Sequence, residues 1–252
     1  MDYRYFIFLK FDGSNYAGWQ IQPNALSIQQ VIEEKLSLLL RHKVNITGAG
    51  RTDSGVHARY MVAHFNTIHE NLHLDIIFIN KINKILPSDI AITKIKIVNS
   101  NAHSRFDACW RTYHYTIAKQ KDPFNLKYST YTPHTINIQL LNECCDILKR
   151  YDNFQSFCKY HHNANTYICN IMEANWIENQ DSLIFTITAD RFLRNMVRAI
   201  VGSILDVARG KHQVKDFETI ILKKDRIYAG QSADAKGLSL DWIEYPESIY
   251  IL

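Results

Sequence analysis

The sequence predicts an α+β fold with two related halves, 1–104 and 105–252, and three observations lead to this prediction. In the first half, strand and helix signals alternate in the order β-α-β-β-α-β. The second half begins with a strand and broadly repeats this alternation. No short-period repeat or low-complexity tract interrupts either half. Elements of this kind form layers of helix on sheet, and two such sheets could join edge to edge.

The first half begins with a strand over Tyr3–Phe11, where aromatic and β-branched residues dominate. Turn residues at 12–15 follow it. Ser27 and Gln30 then predict a capping box for a helix that ends near His42 and carries apolar residues at spacings of three and four. The remaining predicted elements are strands at 44–47 and 60–66, a helix at 74–86 and a strand at 89–98.

The second half begins with a predicted strand at 109–118. A polar stretch with Pro123 and Pro133 follows, as is typical of a connecting segment. The further predicted elements are a helix at 138–151, strands at 167–177 and 183–188, a helix at 192–209, a helix at 214–224 and a strand at 238–245.

Composition indicates a cytoplasmic protein. The 29 basic and 25 acidic residues leave a net charge of +4, which permits nucleic-acid binding without demonstrating it. The apolar run at 5–9 is too short for a signal peptide, and no segment approaches the roughly 20 apolar residues of a membrane-spanning helix. Five cysteines without a CxxC pair fit a reducing compartment.

A metal site is not predicted. The nearest candidate set is Cys158, His161, His162 and Cys169, and its spacing matches no common zinc pattern. The chain also has no Walker loop and no GxGxxG loop, so we predict that it uses no cofactor.

The loop at 48–58 carries the strongest chemical signal, and its sequence is GAGRTDSGVHA. Its three glycines permit tight turns and close approach of a ligand to the backbone. Arg51 can contact a phosphate or a base through its planar fork, and Asp53 is a candidate nucleophile or base. A solvated turn with a local ion pair explains the same residue types equally well.

This loop resembles the signature loop of the tRNA pseudouridine synthase A (TruA) family. Five further segments resemble motifs of that family in the same order, and together they span nearly the whole chain. They are FDGSNYAGWQ at 11–20, SRFDA at 104–108, RTYHY at 111–115, FLRNMVR with IVG at 192–202, and AKGLSL at 235–240. The resemblance implies the pseudouridine synthase fold, with two α/β-sandwich halves that share an extended, mostly antiparallel sheet around a central cleft.

The resemblance also implies roles for individual residues. Asp53 is the essential aspartate, and Arg51 enters the helix stack and helps to evict the target uridine. Tyr113 stacks on the flipped base and can act as a base. Arg198 pairs with the Asp53 carboxylate and orients it, and Leu240 contacts the target base. The first half then carries the catalytic loop, and the second half completes the cleft and the RNA surface.

The implied substrate is uridine at positions 38–40 in the anticodon stem-loop of tRNA, bound by a homodimer. Two mechanisms stay open, because Asp53 can attack C1′ of the ribose or abstract the 2′ proton to give a glycal. Neither mechanism needs a metal or an organic cofactor.

Supporting roles are predicted for several other residues. Arg191, Arg194 and Arg198 fall on one stripe of the predicted helix at 192–209, and with the motif Arg194 is predicted to approach RNA phosphates. A solvated helix face is the simpler explanation of the charges alone. We predict that Tyr16 and Trp19 anchor the fold and that His57 and His103 form local hydrogen bonds.

Two departures from the family pattern are His114, where several members have another basic residue, and the loop at 154–166 with His161 and His162. Two rival functions also fit parts of the sequence. The triplet Asp53-Ser54-Gly55 matches aspartic proteases, but that chemistry needs two such carboxylates and the chain has one DSG. A non-catalytic RNA-binding protein on the same scaffold is the second rival, in which Asp53 would be dispensable.

Overall fold

The computed structural model describes residues 2–133, 135–159 and 165–251. The chain divides into two compact units. The first unit contains Met1–Cys109 and Leu240–Leu252, and the second contains Trp110–Ser239. The segment 240–252 thus belongs to the first unit, although it follows the whole second unit in sequence. The functional division at residue 104 stays a prediction.

The described residues form nine strands and five α-helices. The strands are β1 (Tyr3–Phe11), β2 (Thr47–Gly48), β3 (His57–Thr67), β4 (Ile90–Val98), β5 (Trp110–Ala118), β6 (Thr130–Tyr131), β7 (Ile171–Glu178), β8 (Ser182–Ala189) and β9 (Leu238–Glu244). The helices are α1 (Ile28–Leu40), α2 (Ile76–Ile85), α3 (Ile138–Leu148), α4 (Met196–Ala208) and α5 (Val214–Lys223).

The first unit is built around β1, which pairs antiparallel with β3 on one side and with β4 on the other. Short β2 pairs antiparallel with β3, and β9 lies next to β3. The residues of β1 from 5 to 9 are all buried, so both faces of this strand are covered. A continuous apolar run, rather than an alternating one, is what a strand with two covered faces requires.

Helix α1 follows the sequence pattern closely. Its buried positions are the apolar residues at spacings of three and four, Ile28, Val31, Ile32, Leu36 and Leu40. Ser27 caps the helix, since its hydroxyl accepts the N–H of Gln30 at 3.2 Å. The second half of the predicted capping box is wrong, because the Gln30 side chain donates to Glu34 one turn further on.

The second unit has the strand order β5-β8-β7, with both pairs antiparallel. Strand β6, which the sequence did not predict, pairs parallel with β5. Helix α3 packs on β7 and also contacts α4 and α5. Helix α4 is buried over nearly its whole length. The predicted α+β class with mostly antiparallel strands is therefore confirmed within each unit.

Several predicted boundaries are wrong, among them the start of the strand predicted at 60–66, which is β3 and begins at His57, and the end of the helix predicted at 138–151, which is α3 and ends at Leu148. The strand predicted at 44–47 is β2, which begins only at Thr47. The helix predicted from 74 begins at Ile76, because Asp75 caps it after a separate 3₁₀ turn. The strand predicted from 167 begins at Ile171. The helix predicted from 192 begins at Met196, because Asn195 has a left-handed backbone with φ of 66°.

The late start of α4 overturns the predicted arginine stripe. Arg191 and Arg194 precede the helix and only Arg198 lies on it, so their angles on a helical wheel have no meaning. Arg194 is exposed in the segment before the helix. Among the helices of the described residues, none combines the length and apolarity needed to cross a bilayer.

A buried histidine in the first unit yields a prediction for stability. His64 of β3 is 8% exposed, and its Nδ1 accepts the N–H of Ser104 at 3.1 Å, which requires the neutral ring. Burial, together with the nearby His103 and Arg4, lowers the pKa of His64 to about 4, while Asp107 opposes this shift. The unfolded chain binds this proton at its ordinary pKa of 6.5.

We therefore expect the unfolding free energy to fall as the pH drops from about 6.5 to 4, since only the unfolded state takes up the proton in that window. Urea unfolding at several pH values measures this dependence. The variant His64→Gln, which cannot titrate, should have a shallower dependence by up to about 1.4 kcal/mol per pH unit. Equal slopes in both proteins would contradict the prediction.

Candidate active site

Asp53 lies in the loop that joins β2 to β3 in the first unit. The loop closes on itself through a hydrogen bond from the Val56 N–H to the Asp53 carbonyl at 3.2 Å. Thr52 is buried, Asp53 is half-buried and Arg51 is exposed. The loop therefore presents the Asp53 carboxylate and the Arg51 guanidinium from a backbone that is fixed on both sides.

The segment 12–20, which also carried a family motif, holds this loop in place. The Trp19 N–H donates to the Thr52 carbonyl at 3.2 Å. On the other side of Asp53, the Tyr16 carbonyl accepts the Gly55 N–H at 3.3 Å and the Ser54 hydroxyl at 3.2 Å. Hydrogen bonds to the segment 12–20 thus hold the chain on both sides of Asp53.

Two glycines allow the backbones of the two segments to meet. A Cβ on Gly13 would lie 2.0 Å from the Val56 carbonyl oxygen, and a Cβ on Gly18 would lie 2.3 Å from the Thr52 carbonyl oxygen. Gly18 also has φ of 92°, which L side chains rarely adopt. Both positions require glycine for the loop to keep its observed place.

The segment 12–20 is itself anchored to the start of β4. The buried Tyr16 hydroxyl donates to the Asp89 carboxylate at 2.6 Å, and the Asp12 N–H donates to the Asp89 carbonyl at 2.9 Å. Burial and the bond to Asp89 raise the pKa of the Tyr16 phenol, which keeps it a donor. Trp19 is buried against Gly48. The anchoring role predicted for Tyr16 and Trp19 is confirmed, whereas Asp89 was not anticipated.

His57 joins the same assembly at the end of the loop. It is buried, and its Nδ1 lies 3.1 Å from both the Gly13 N–H nitrogen and an Asp12 carboxylate oxygen. His103 likewise accepts the backbone N–H groups of Arg105 and Phe106 at 3.1 and 3.3 Å. Both histidines form local hydrogen bonds, as predicted.

The second unit holds the other predicted catalytic residues. Tyr113 is half-buried on β5, and the Phe192 ring meets it edge to face with centroids 5.1 Å apart. Arg198 is half-buried in the first turn of α4. Its Nε donates to the Ala233 carbonyl at 2.7 Å, and the Ala233 N–H donates to the Arg198 carbonyl at 2.9 Å. Packing and hydrogen bonds thus restrict the orientation of both side chains.

A family profile described as "tRNA pseudouridine synthase" matches residues 7–107 and 151–246 of this chain. The chain belongs to the tRNA pseudouridine synthase family. The match includes the Asp53 loop and the α4 segment, and it confirms the family and the fold class predicted from the sequence.

Relatives named "tRNA pseudouridine synthase A" align along nearly their whole length. The proteins of Parabacteroides distasonis and Bacteroides fragilis are 47% and 48% identical over 248 residues, which is 98% of this chain and of each relative. The protein of Exiguobacterium sibiricum is 34% identical over 240 residues, which is 95% of this chain and 96% of the relative.

The predicted site residues of this tRNA pseudouridine synthase family member lie in both units. Arg51, Asp53 and Leu240 belong to the first unit, where Leu240 on β9 is only 2% exposed. Tyr113, Arg194 and Arg198 belong to the second unit. The predicted pairing of Arg198 with Asp53 joins residues of different units and stays a prediction. Phe192 beside Tyr113 and Ala233 beside Arg198 were missed as supports, because each partner is remote in sequence.

Among the residues that the structure describes, no group of three His, Cys, Asp or Glu side chains could hold a metal ion. Of the set considered from sequence, Cys158 and Cys169 are buried, and burial raises the pKa of the Cys169 thiol to about 12. His161 and His162 lie outside the described residues, as do the other residues of 160–164 within the 154–166 loop that departs from the family pattern.

Proposed function

We propose that this protein is a tRNA pseudouridine synthase that isomerises uridine at positions 38–40 of the anticodon stem-loop. Family membership supports the reaction and its tRNA substrate. The observation that carries the catalytic assignment is the fixed position of the Asp53 loop. Hydrogen bonds from the segment 12–20 hold this loop on both sides of the aspartate. A fixed carboxylate at a half-exposed position is what either open mechanism requires.

The reaction breaks the bond between uracil N1 and ribose C1′ and forms a bond between uracil C5 and C1′. Asp53 either attacks C1′ to form a covalent intermediate or removes the 2′ proton to form a glycal. In both routes the C5 proton leaves to solvent and the freed N1 takes up a proton, and in the glycal route C2′ regains its proton, so atoms and charge balance without an external reactant. The protein's own groups therefore suffice, and we propose that it uses no cofactor.

The target uridine must first leave its stack, which costs a few kcal/mol. Arg51 is exposed beside Asp53 and is the side chain proposed to take the vacated place. Tyr113 is proposed to stack on the flipped base, which recovers about 1–3 kcal/mol. Its ring is already oriented by Phe192 before any substrate binds.

Three further assignments complete the proposal. Arg198 orients the Asp53 carboxylate, since Ala233 holds its Nε and leaves the guanidinium in a fixed plane. Arg194 is exposed ahead of α4 and approaches RNA phosphates. Leu240 contacts the target base through the small part of its side chain that is not buried. The protein acts in the cytoplasm as a homodimer that binds tRNA.

Tritium release from tRNA tests the function directly. Unmodified tRNA labelled at uridine C5 should release tritium on incubation with the protein, because forming the new C5–C1′ bond expels the C5 hydrogen. A matched transcript with cytidine at positions 38–40 should release none. Chelators should not change the rate, since no metal takes part.

Release from both transcripts would keep the reaction but refute the proposed positions. No release from either transcript, with tRNA still bound, would refute the enzyme and favour the rival non-catalytic RNA-binding protein.

A further inference from the structure

Phe106 stands out on the surface of the first unit, because its side chain is 72% exposed. It lies in the turn 103–107 ahead of β5, next to the exposed Arg105. Its ring centroid is 4.3 Å from that of His103, and the Arg105 guanidinium carbon is 5.5 Å from the ring centroid. Single exposed apolar side chains are ordinary, so exposure alone carries no meaning.

The backbone that displays Phe106 is held by buried groups. Ser104 is fully buried, and its hydroxyl donates to the Thr47 carbonyl at 2.7 Å while its N–H donates to His64. The Tyr245 hydroxyl donates to the Ser104 carbonyl. A turn fixed in this way pays little ordering entropy when a ligand meets its exposed ring.

Hydrogen bonds within the turn add to this rigidity. An Asp107 carboxylate oxygen accepts the His103 N–H at 2.7 Å, and the Asp107 N–H donates to the His103 carbonyl at 3.0 Å. The Phe106 N–H itself donates to His103 Nδ1. The Phe106 ring is therefore attached to a rigid turn and extends into solvent.

The charges beside the ring are mainly positive. Arg105 flanks it directly, and the Arg4 guanidinium is tied to the start of the turn by a 2.9 Å bond to the Ala102 carbonyl. The Asp107 carboxylate is already engaged by a backbone N–H. An aromatic face with an adjacent guanidinium group, that of Arg105, fits an unstacked nucleobase and its phosphate, because the base stacks on the ring while the arginine meets the charge.

We propose that Phe106 and Arg105 form a stacking platform for an unpaired nucleotide of the tRNA substrate, outside the catalytic centre. The proposal rests on the proposed function for its ligand. Within strand β3, His57 at the end of the Asp53 loop and His64 beneath the turn are separated by roughly 23 Å at the usual rise per residue. The platform therefore binds a nucleotide other than the target uridine and contributes to KM rather than to kcat.

Steady-state tritium release by Phe106→Ala and Phe106→Trp tests the platform. Phe106→Ala should raise KM for tRNA roughly 5- to 150-fold with kcat unchanged, because stacking on one aromatic ring contributes about 1–3 kcal/mol to binding. Phe106→Trp, which keeps an aromatic face, should retain the wild-type KM. Phe124→Ala is the matched control, since Phe124 is also an exposed phenylalanine in a turn, with 91% of its side chain accessible, and should leave KM unchanged.

The role of Arg105 is tested by the salt dependence of tRNA binding. Arg105→Ala should reduce the slope of log affinity against log salt by about 0.7 to 0.9, the loss of one phosphate contact, while Phe106→Ala should leave the slope unchanged. An unchanged slope for Arg105→Ala would overturn its part in the platform.

Several outcomes overturn the platform itself. These are a wild-type KM in Phe106→Ala, equal rises in Phe106→Ala and Phe124→Ala, or no rescue by Phe106→Trp. A wild-type protein that binds tRNA but releases no tritium would refute the proposed function alone. In that case the dissociation constants of the same variants for tRNA still decide the platform.

Discussion

Replacing Asp53 with asparagine is expected to reduce the rate of pseudouridine formation by about 10⁴-fold or more. The asparagine amide has nearly the shape of the carboxylate, but it can neither attack C1′ nor remove the 2′ proton. The loop that carries Asp53 is fixed by backbone contacts to residues 16 and 19, so the fold should survive the change. Tritium release under single-turnover conditions, with enzyme in excess of labelled tRNA, measures the effect.

The control is Asp181→Asn, which removes an exposed carboxylate from the turn between β7 and β8 and should keep full activity. Asp53→Asn should also bind tRNA and unfold like the wild type, which separates lost chemistry from lost structure. Activity in Asp53→Asn comparable to that of Asp181→Asn would reject Asp53 as the catalytic residue under both open mechanisms.

The second large effect is expected for Gly18→Ala. The new Cβ would lie 2.3 Å from the Thr52 carbonyl oxygen, and φ of 92° is strained for alanine. We expect the unfolding free energy to fall by about 2–5 kcal/mol, from backbone strain together with overpacking. Relief of the clash must displace the Thr52–Asp53 peptide, and a shift of about 1 Å at a catalytic group can cost 10²-fold in rate.

The variant Gly210→Ala separates the effect of backbone strain from the effect of the steric clash. Gly210 has φ of 73°, but a Cβ there would meet no atom within 4 Å, so this variant keeps the strain and lacks the clash. It should lose about 1–2 kcal/mol of stability and no activity. Thermal unfolding and tritium release, measured on both variants, provide the comparison. If Gly18→Ala matched Gly210→Ala in both assays, Gly18 would not be required for positioning Asp53.

Local sequence patterns were sufficient to predict those elements that the spacing of their own apolar residues determines. Helix α1 follows its apolar spacing, and β1 follows its continuous apolar run. The predicted start of α4 was wrong because Phe192 and Leu193 keep a helical apolar spacing with Met196, although the chain there is not helical. The Asn195 side chain donates to Ser232 at 2.7 Å, and a partner so distant in sequence leaves no local signal.

The candidate site likewise contains residues that the sequence predicted and supporting contacts that it could not predict. Asp53 and Arg51 were found because their loop has a recognisable sequence of its own. The supports of that loop, such as the Tyr16 bond to Asp89, depend on strands that meet only in the folded chain. Phe106 was part of a recognised motif, yet the pattern of letters could not indicate that its ring is exposed on a fixed turn.

The first unit is assembled from two stretches of chain with the entire second unit between them. On the ribosome, β1 to β4 emerge before Leu240–Glu244, so β3 lacks its β9 neighbour while Trp110–Ser239 is translated. At bacterial or eukaryotic elongation rates that interval is on the order of ten seconds. During it, an open strand edge is available to other nascent chains. Biosynthesis of the unit that carries Asp53 should therefore depend on chaperones more than its compactness suggests.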